Sequence, residues 1–288
     1  MTEFDPRLTP ARSDLAALHL KGQVEASAFA PGVARQVCAA AAPVRRSPRA
    51  DAGLDTELLC GEGFTVYEEK GGWAWGQAAF DHYVGYVPAA ALTDEYEAPT
   101  HRVIALRSYV YPAPDLKTPP HALLSLNAKV TVKKRDAAFC SLSLGSGESY
   151  VFSGHLAPLE APAPDFVAVA EMFLGTPYLW GGRQSLGLDC SALVQNALER
   201  AGVNAPRDTD MQARSLGEAL PVSSVENALH RGDLVYWKGH VGIMVDASRL
   251  IHANATAMAV TIDPLGDVVA AIKEAEGPIT AIRRLAFT

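Results

Sequence analysis

Long apolar runs are what this sequence most plainly lacks. No stretch approaches the ~18 consecutive apolar residues of a membrane-spanning helix. The opening "MTEFDPRLTPARSDLAALHLKGQVEASAFA" has no basic start followed by an apolar core, so no export signal is expected. Cysteine is scarce: Cys38, Cys60, Cys140 and Cys190 are four in 288 residues, with no CxxC pair or metal-type spacing. A disulfide-stapled framework is not expected at this size. Reduced thiols and a cytoplasmic location are the simplest expectation. Positive charge is also short, 25 Lys and Arg against 32 Asp and Glu, for a net −7. That balance argues against nucleic acid or anionic membrane as partner.

What is present is a globular composition, 49% hydrophobic and 20% charged, long enough for two or three domains. Residues 1–35 read as an arm broken by Pro6, Pro10 and Pro31 that packs on the rest. From 36 to 160 the pattern is β, in short alternating segments such as "FTVYEE", "GYVPAA", "VIALRSYVY" and "KVTVKK". A weak repeat sets "LLCGEGFTVYEE" from Leu58 against "LLSLNAKVTVKK" from Leu123, predicting two small barrels over 36–96 and 97–160. The proline-rich "LAPLEAPAPDF" from Leu156 reads as a linker. Positions 161–288 then change character, with helices first and antiparallel strands from "GDLVYW" onward, an α+β order.

In "DCSALVQNAL", Asp189 suits an N-cap, which sets Cys190 and Ser191 in the first turn of a helix closed by Gly202. A thiol at a helix N-terminus meets the positive end of the dipole. That lowers its pKa from about 8.5 and favours the nucleophilic thiolate. The other three cysteines read as small core fillers. In "GHVGIMV", His240 opens an alternating strand after Gly239. Twelve positions on, "RLIHANA" puts His252 on the neighbouring strand, where it can orient the His240 imidazole. Zinc ligation is the rival chemistry for the same Cys and His residues, although none of them are closely paired in sequence.

Taken in order and spacing, "GTPYLWGG", "DCSALV", "PRDTDMQ", "GDLVYW", "HVGIMV" and "IHAN" resemble the NlpC-type papain-like cysteine peptidases that cut bacterial cell-wall peptides. The resemblance implies an α+β papain-like catalytic domain over 161–288. "LLCGEGFTVYEEKGGWAWG" and "DHYVGYV" are similar to bacterial SH3-like domains, which implies that the preceding all-β barrels are of that kind. It implies Cys190 as nucleophile, His240 as base and then acid, His252 as orienting residue, and Tyr178 beside the Cys190 N–H in the oxyanion hole. Trp180 is expected to pack in the cleft wall, and Arg207 to be structural. Ala192 stands where the family has glycine. No cofactor or metal is implied.

SH3-like domains ahead of such a domain, without a leader, resemble the cytosolic branch that recycles cell-wall fragments. That branch hydrolyses the γ-D-glutamyl bond to meso-diaminopimelate or lysine in murein peptides with a free N-terminal L-Ala, releasing L-Ala-D-Glu. The resemblance places Asp208 against the substrate ammonium, with Thr209 and Ser191 as neutral partners. It adds Tyr83 and, more weakly, Glu62 from the first SH3-like domain. Rival readings are an exported wall hydrolase anchored by its SH3-like domains, a catalytically idle binding protein, and acyl transfer in place of hydrolysis.

Overall fold

The computed structural model describes residues 4–136, 138–143, 148–223, 229–275 and 277–286. It falls into two compact units, Met1–Ala161 and Pro162–Thr288. In the first, strand alternation makes the barrels. Gly63–Lys70 buries Phe64 and Val66 while their neighbours stay half-exposed, the period-two pattern of a one-sided strand. Val33–Val37 pairs with this strand and with Leu92–Thr93, so the first sheet begins inside the stretch read as an arm. The true arm, before Val33, reaches back with Arg12. Its guanidinium lies 4.3 Å from the centre of the Trp75 ring and bonds Glu68 and the Tyr86 hydroxyl.

The second barrel repeats the first at the level of backbone bonds. Val37 donates to Glu62 O and accepts from Gly61 N, and Val103 does the same with Ala128 O and Asn127 N. Each barrel ends on a short 3-10 turn, Ala89–Ala91 or Ser153–His155. A closing strand follows, whose Leu92 or Leu156 pairs with Val37 or Val103. Gly61 and Asn127 both have left-handed backbones, φ +79° and +70°. They are therefore equivalent, one residue out of step with the repeat aligned on Leu58 and Leu123. Leu156–Pro158 is thus a barrel strand and not linker. "VIALRSYVY" is two strands, His101–Val103 and Arg107–Val110.

The second unit opens with α1 (Phe166–Glu171), capped by Asp165, and α2 (Cys190–Arg200). The α2 helix packs on α1 and on the central strands of a six-stranded antiparallel sheet. That sheet runs in the order Glu218–Leu220, Ala281–Arg284, Leu234–Trp237, His240–Met244, Arg249–Asn254, Ala259–Pro264. Two further helices, α3 (Thr209–Ser215) and α4 (Leu265–Ala275), were not anticipated. Leu265 and Val268 of α4 share a buried cluster with Met244 and Leu250 of the sheet. Strand alternation puts His240 on the Met244 face and His252 on the Leu250 face, so both imidazoles look toward α4. Gly242 sits between His240 and Met244. A Cβ there would lie 2.0 Å from Leu250 Cδ1, so glycine lets the Leu250 side chain of the neighbouring strand sit where it does.

Candidate active site

Asp189 is the N-cap of α2, its Oδ1 accepting from Ala192 N at 2.9 Å, and it does more than cap. The same oxygen accepts from Ser191 Oγ and Arg207 Nη1, while Oδ2 accepts from Gly181 N and Arg207 Nη2, at 2.7–3.1 Å. One buried carboxylate thus joins the aromatic-glycine loop, the start of α2 and the segment before α3. Arg207, 1% exposed, is structural as expected. Ser191 Oγ is held inside this network, donating to Asp189 and accepting from Arg207 at 2.7 Å. That ties the hydroxyl expected to greet a substrate amine to the support of the helix. Ala192 is fully buried beneath the cap, where its methyl is accommodated.

The Cys190 sulfur lies 3.8 Å from Gly239 O and receives the Val241 N–H, so it touches backbone on both sides of His240. The imidazole belongs to the strand end against which the sulfur rests. His240 Nε2 lies 2.8 Å from His252 Nδ1, the rings 5.0 Å apart and edge-on. This bond leaves Nδ1 as the His240 nitrogen open to a thiol proton. Gly239, at φ +83°, turns the chain just before it.

The expected lowering of the thiol pKa is corrected by the structure. Burial, and then the Asp189 charge, push Cys190 up to about 12. The Val241 and Ser191 N–H groups and the Arg207 charge pull downward but are outweighed. Desolvation penalises the charged form more strongly than a few backbone dipoles favour it. His240 moves the opposite way for the same reason, to about 3, through burial and then His252. His252 is also lowered by burial, against the opposing pull of Asp263. Both shifts favour the neutral forms, a protonated thiol and an uncharged imidazole.

The sequence reading missed what stands behind His252. Its Nε2 lies 3.1 Å from Asp263 Oδ2 and 3.2 Å from Asn254 Nδ2, and the Thr261 hydroxyl donates to the same carboxylate oxygen. The hairpin register pairs His252 with Thr261 and Leu250 with Asp263, which sets 252, 254, 261 and 263 on one face. The available signal was the alternation in "HANATAMAVTID", once the turn at 255–258 is allowed for.

A cavity of about 570 Å³ opens on this face, lined by Tyr178, Trp180, Gly239, His240, His252 and Asp263, with Asp267 and Val268 of α4 among its walls. Tyr178 is half-buried and held through its backbone N–H to Met258 O at 2.9 Å. Trp180 lines the wall but is 68% exposed, so it flanks the cavity and is not packed into it. Asp208 and Thr209, both half-buried, begin α3, and neither they nor Ser191 line this cavity. The Asp208 side chain makes no capping bond, although it occupies the cap position. Gln212 ties α3 to the first turn of α2 through Ser191 O at 3.0 Å.

In the N-terminal unit, Tyr83 is 6% exposed and packed in the first barrel's core. Glu62 is 2% exposed, accepting from Leu59 N at 2.9 Å and facing Lys129 Nζ at 3.6 Å. Both are thus built into the barrels. Cys60 and Cys140 are buried and Cys38 is half-buried, and all four cysteines are free thiols. Among the described residues no group of three or more His, Cys, Asp or Glu is placed to hold a metal ion, so the zinc alternative finds no ligand cluster.

A thiol at a helix start set against a histidine-led antiparallel sheet defines a papain-like cysteine peptidase fold. Residues 175–271 match the NlpC/P60 family, and residues 44–92 match the bacterial dipeptidyl-peptidase SH3 domain. The chain therefore carries an NlpC/P60 domain of the cysteine-peptidase kind, with a bacterial SH3 domain ahead of it. It is 27% identical over 244 residues to the gamma-D-glutamyl-L-lysine dipeptidyl-peptidase of Bacillus cereus, covering 74% of this chain and 71% of that one. With the protein of that name from Bacillus subtilis it shares 28% over 161 residues, about half of each chain (52% and 51%). The crystal structure of an NlpC/P60 family protein from Bacillus cereus shares the fold, with a TM-score of 0.74 at 22% identity, over 87% of this chain and 99% of that one.

Proposed function

We propose that this peptidase hydrolyses the γ-D-glutamyl bond to the diamino acid in murein-derived peptides with a free N-terminal L-Ala, releasing L-Ala-D-Glu as part of cell-wall recycling. The observation that carries the chemistry is the Cys190 sulfur touching the backbone of Gly239 and Val241, the residues that flank His240, whose Nε2 is held by His252. The bond cleaved is suggested by the relatives' names.

As the sulfur attacks the γ-carbonyl carbon, its proton passes to His240 Nδ1, so no free thiolate is needed beforehand. The Cys190 N–H and the Tyr178 hydroxyl are assigned to the oxyanion. When the tetrahedral species collapses, His240 returns the proton to the departing amine and a thioester remains. Water, deprotonated by the same ring, then hydrolyses the thioester. Asp208, at the start of α3, is assigned to the substrate ammonium. Four free thiols support a reducing, cytoplasmic setting.

Mass spectrometry of L-Ala-γ-D-Glu-L-Lys and its meso-diaminopimelate counterpart, with free or acetylated amine, tests this reading. Expected are L-Ala-D-Glu from the free peptides, little turnover of the acetylated ones, and no turnover by Cys190→Ala. Undiminished cleavage by Cys190→Ala would end the reading. A free-to-acetylated rate ratio unchanged in Asp208→Ala would remove Asp208 from it.

A further inference from the structure

The histidine pair does not end at His252. We propose that the Asp263 carboxylate is a positioning group that sets the tautomers of both rings, so that His240 presents a bare Nδ1 to the Cys190 thiol. This rests on the assignment of Cys190 and His240 as nucleophile and base.

Counting protons from the carboxylate inward fixes both rings. An ionised carboxylate only accepts, so Asp263 Oδ2, 3.1 Å from His252 Nε2, requires the His252 proton on Nε2. His252 Nδ1 is then a lone pair. Across its 2.8 Å contact the hydrogen must come from His240 Nε2. A neutral imidazole carries one N–H, so His240 Nδ1 is bare.

A competitor is built into the same face. Asn254 Oδ1 accepts from Ala257 N at 2.7 Å, which fixes the amide and turns Nδ2 toward Thr261 Oγ1 and His252 Nε2, 2.8 and 3.2 Å away. With no carboxylate present, that amide is the partner left for Nε2, and it only donates. The His252 proton would then sit on Nδ1 and point at His240 Nε2. The His240 proton would move to Nδ1, facing the thiol with a hydrogen where a lone pair is needed. Asp263 and Asn254 thus select opposite tautomers. The Thr261 hydroxyl, donating to Asp263 Oδ2, holds the carboxylate in place. The Asp263 side chain is 41% exposed, at the rim of the face that buries His252.

The test is nitrogen NMR of the full chain labelled with ¹⁵N-histidine, together with kinetics of Asp263→Ala and Asp263→Glu. In the wild type both His240 and His252 should be protonated on Nε2 at neutral pH. Asp263→Ala should move the His252 proton to Nδ1 and lower kcat by about 100-fold or more with KM little changed, as expected for loss of a tautomer-setting carboxylate. Asp263→Glu should recover part of both. A wild-type His252 protonated on Nδ1 overturns the proposal without any variant having to fold, as does an Asp263→Ala enzyme that keeps the wild-type tautomers or kcat. Failure of the catalytic assignment would show separately, as activity retained by Cys190→Ala.

Discussion

Two polar arrangements flank Cys190, and each meets burial in its own way. Arg207 is sealed from water, yet it meets Asp189 in a bidentate fork, and Asp189 takes three further donors. The His240–His252 pair, also buried, has one contact between its rings, and burial drives both toward the neutral form. Several hydrogen bonds saturate the first pair, whereas a single one joins the two rings. The saturated pair serves as a brace, and the unsaturated one stays free to exchange protons.

Breaking the brace should have the largest effect. Arg207→Ala leaves Asp189 buried without its counter-ion, and a loss of about 3–5 kcal/mol is expected in urea unfolding. A loss below about 1 kcal/mol would mean that water reaches the carboxylate. Tyr178→Phe should leave stability unchanged and lower kcat by about 10²–10³-fold if its hydroxyl is an oxyanion donor; a normal kcat would leave the Cys190 N–H to act without it.

Acid and alkaline stability sharpen the contrast. His240 is lowered from 6.5 to about 3, so between those values the unfolded chain binds a proton that the folded chain refuses. Stability is therefore full above about pH 6.5 and falls as pH drops toward 3, by at most ~1.4 kcal/mol per pH unit from this ring. Cys190 is raised from 9.0 to about 12, so the unfolded thiol ionises first, and stability falls as pH climbs from 9 toward 12. His240→Asn should shallow the acid limb and Cys190→Ala the alkaline one, measured by melting across pH. Unchanged limbs would contradict the neutral pair.

The parts legible in the sequence were those with local causes. Asp189 before a helical stripe announces a cap, and "GHVGIMV" followed by "RLIHANA" announces two strands carrying imidazoles. The ionisation of Cys190 was misjudged because the dipole is a property of the helix, whereas desolvation depends on the whole domain closing over it. Asp263 escaped because its place depends on the register across a turn that includes Met258 at φ +50°. Arg207 was recognised as structural, but its partner 18 residues earlier was not. The barrel repeat was visible, while its phase was set by Asn127 adopting a backbone usually left to glycine.

Gly61 has a consequence for anyone dissecting the molecule. A methyl at that position would sit 2.1 Å from Lys129 O, and Lys129 N donates to Cys60 O at 2.8 Å. The backbones of the two barrels are thus in direct touch, with no side chains between them to act as a cushion. Cutting the chain between the barrels would strip both of a neighbour, so truncations and chimeras are better made at 161/162, with the barrels carried as one piece.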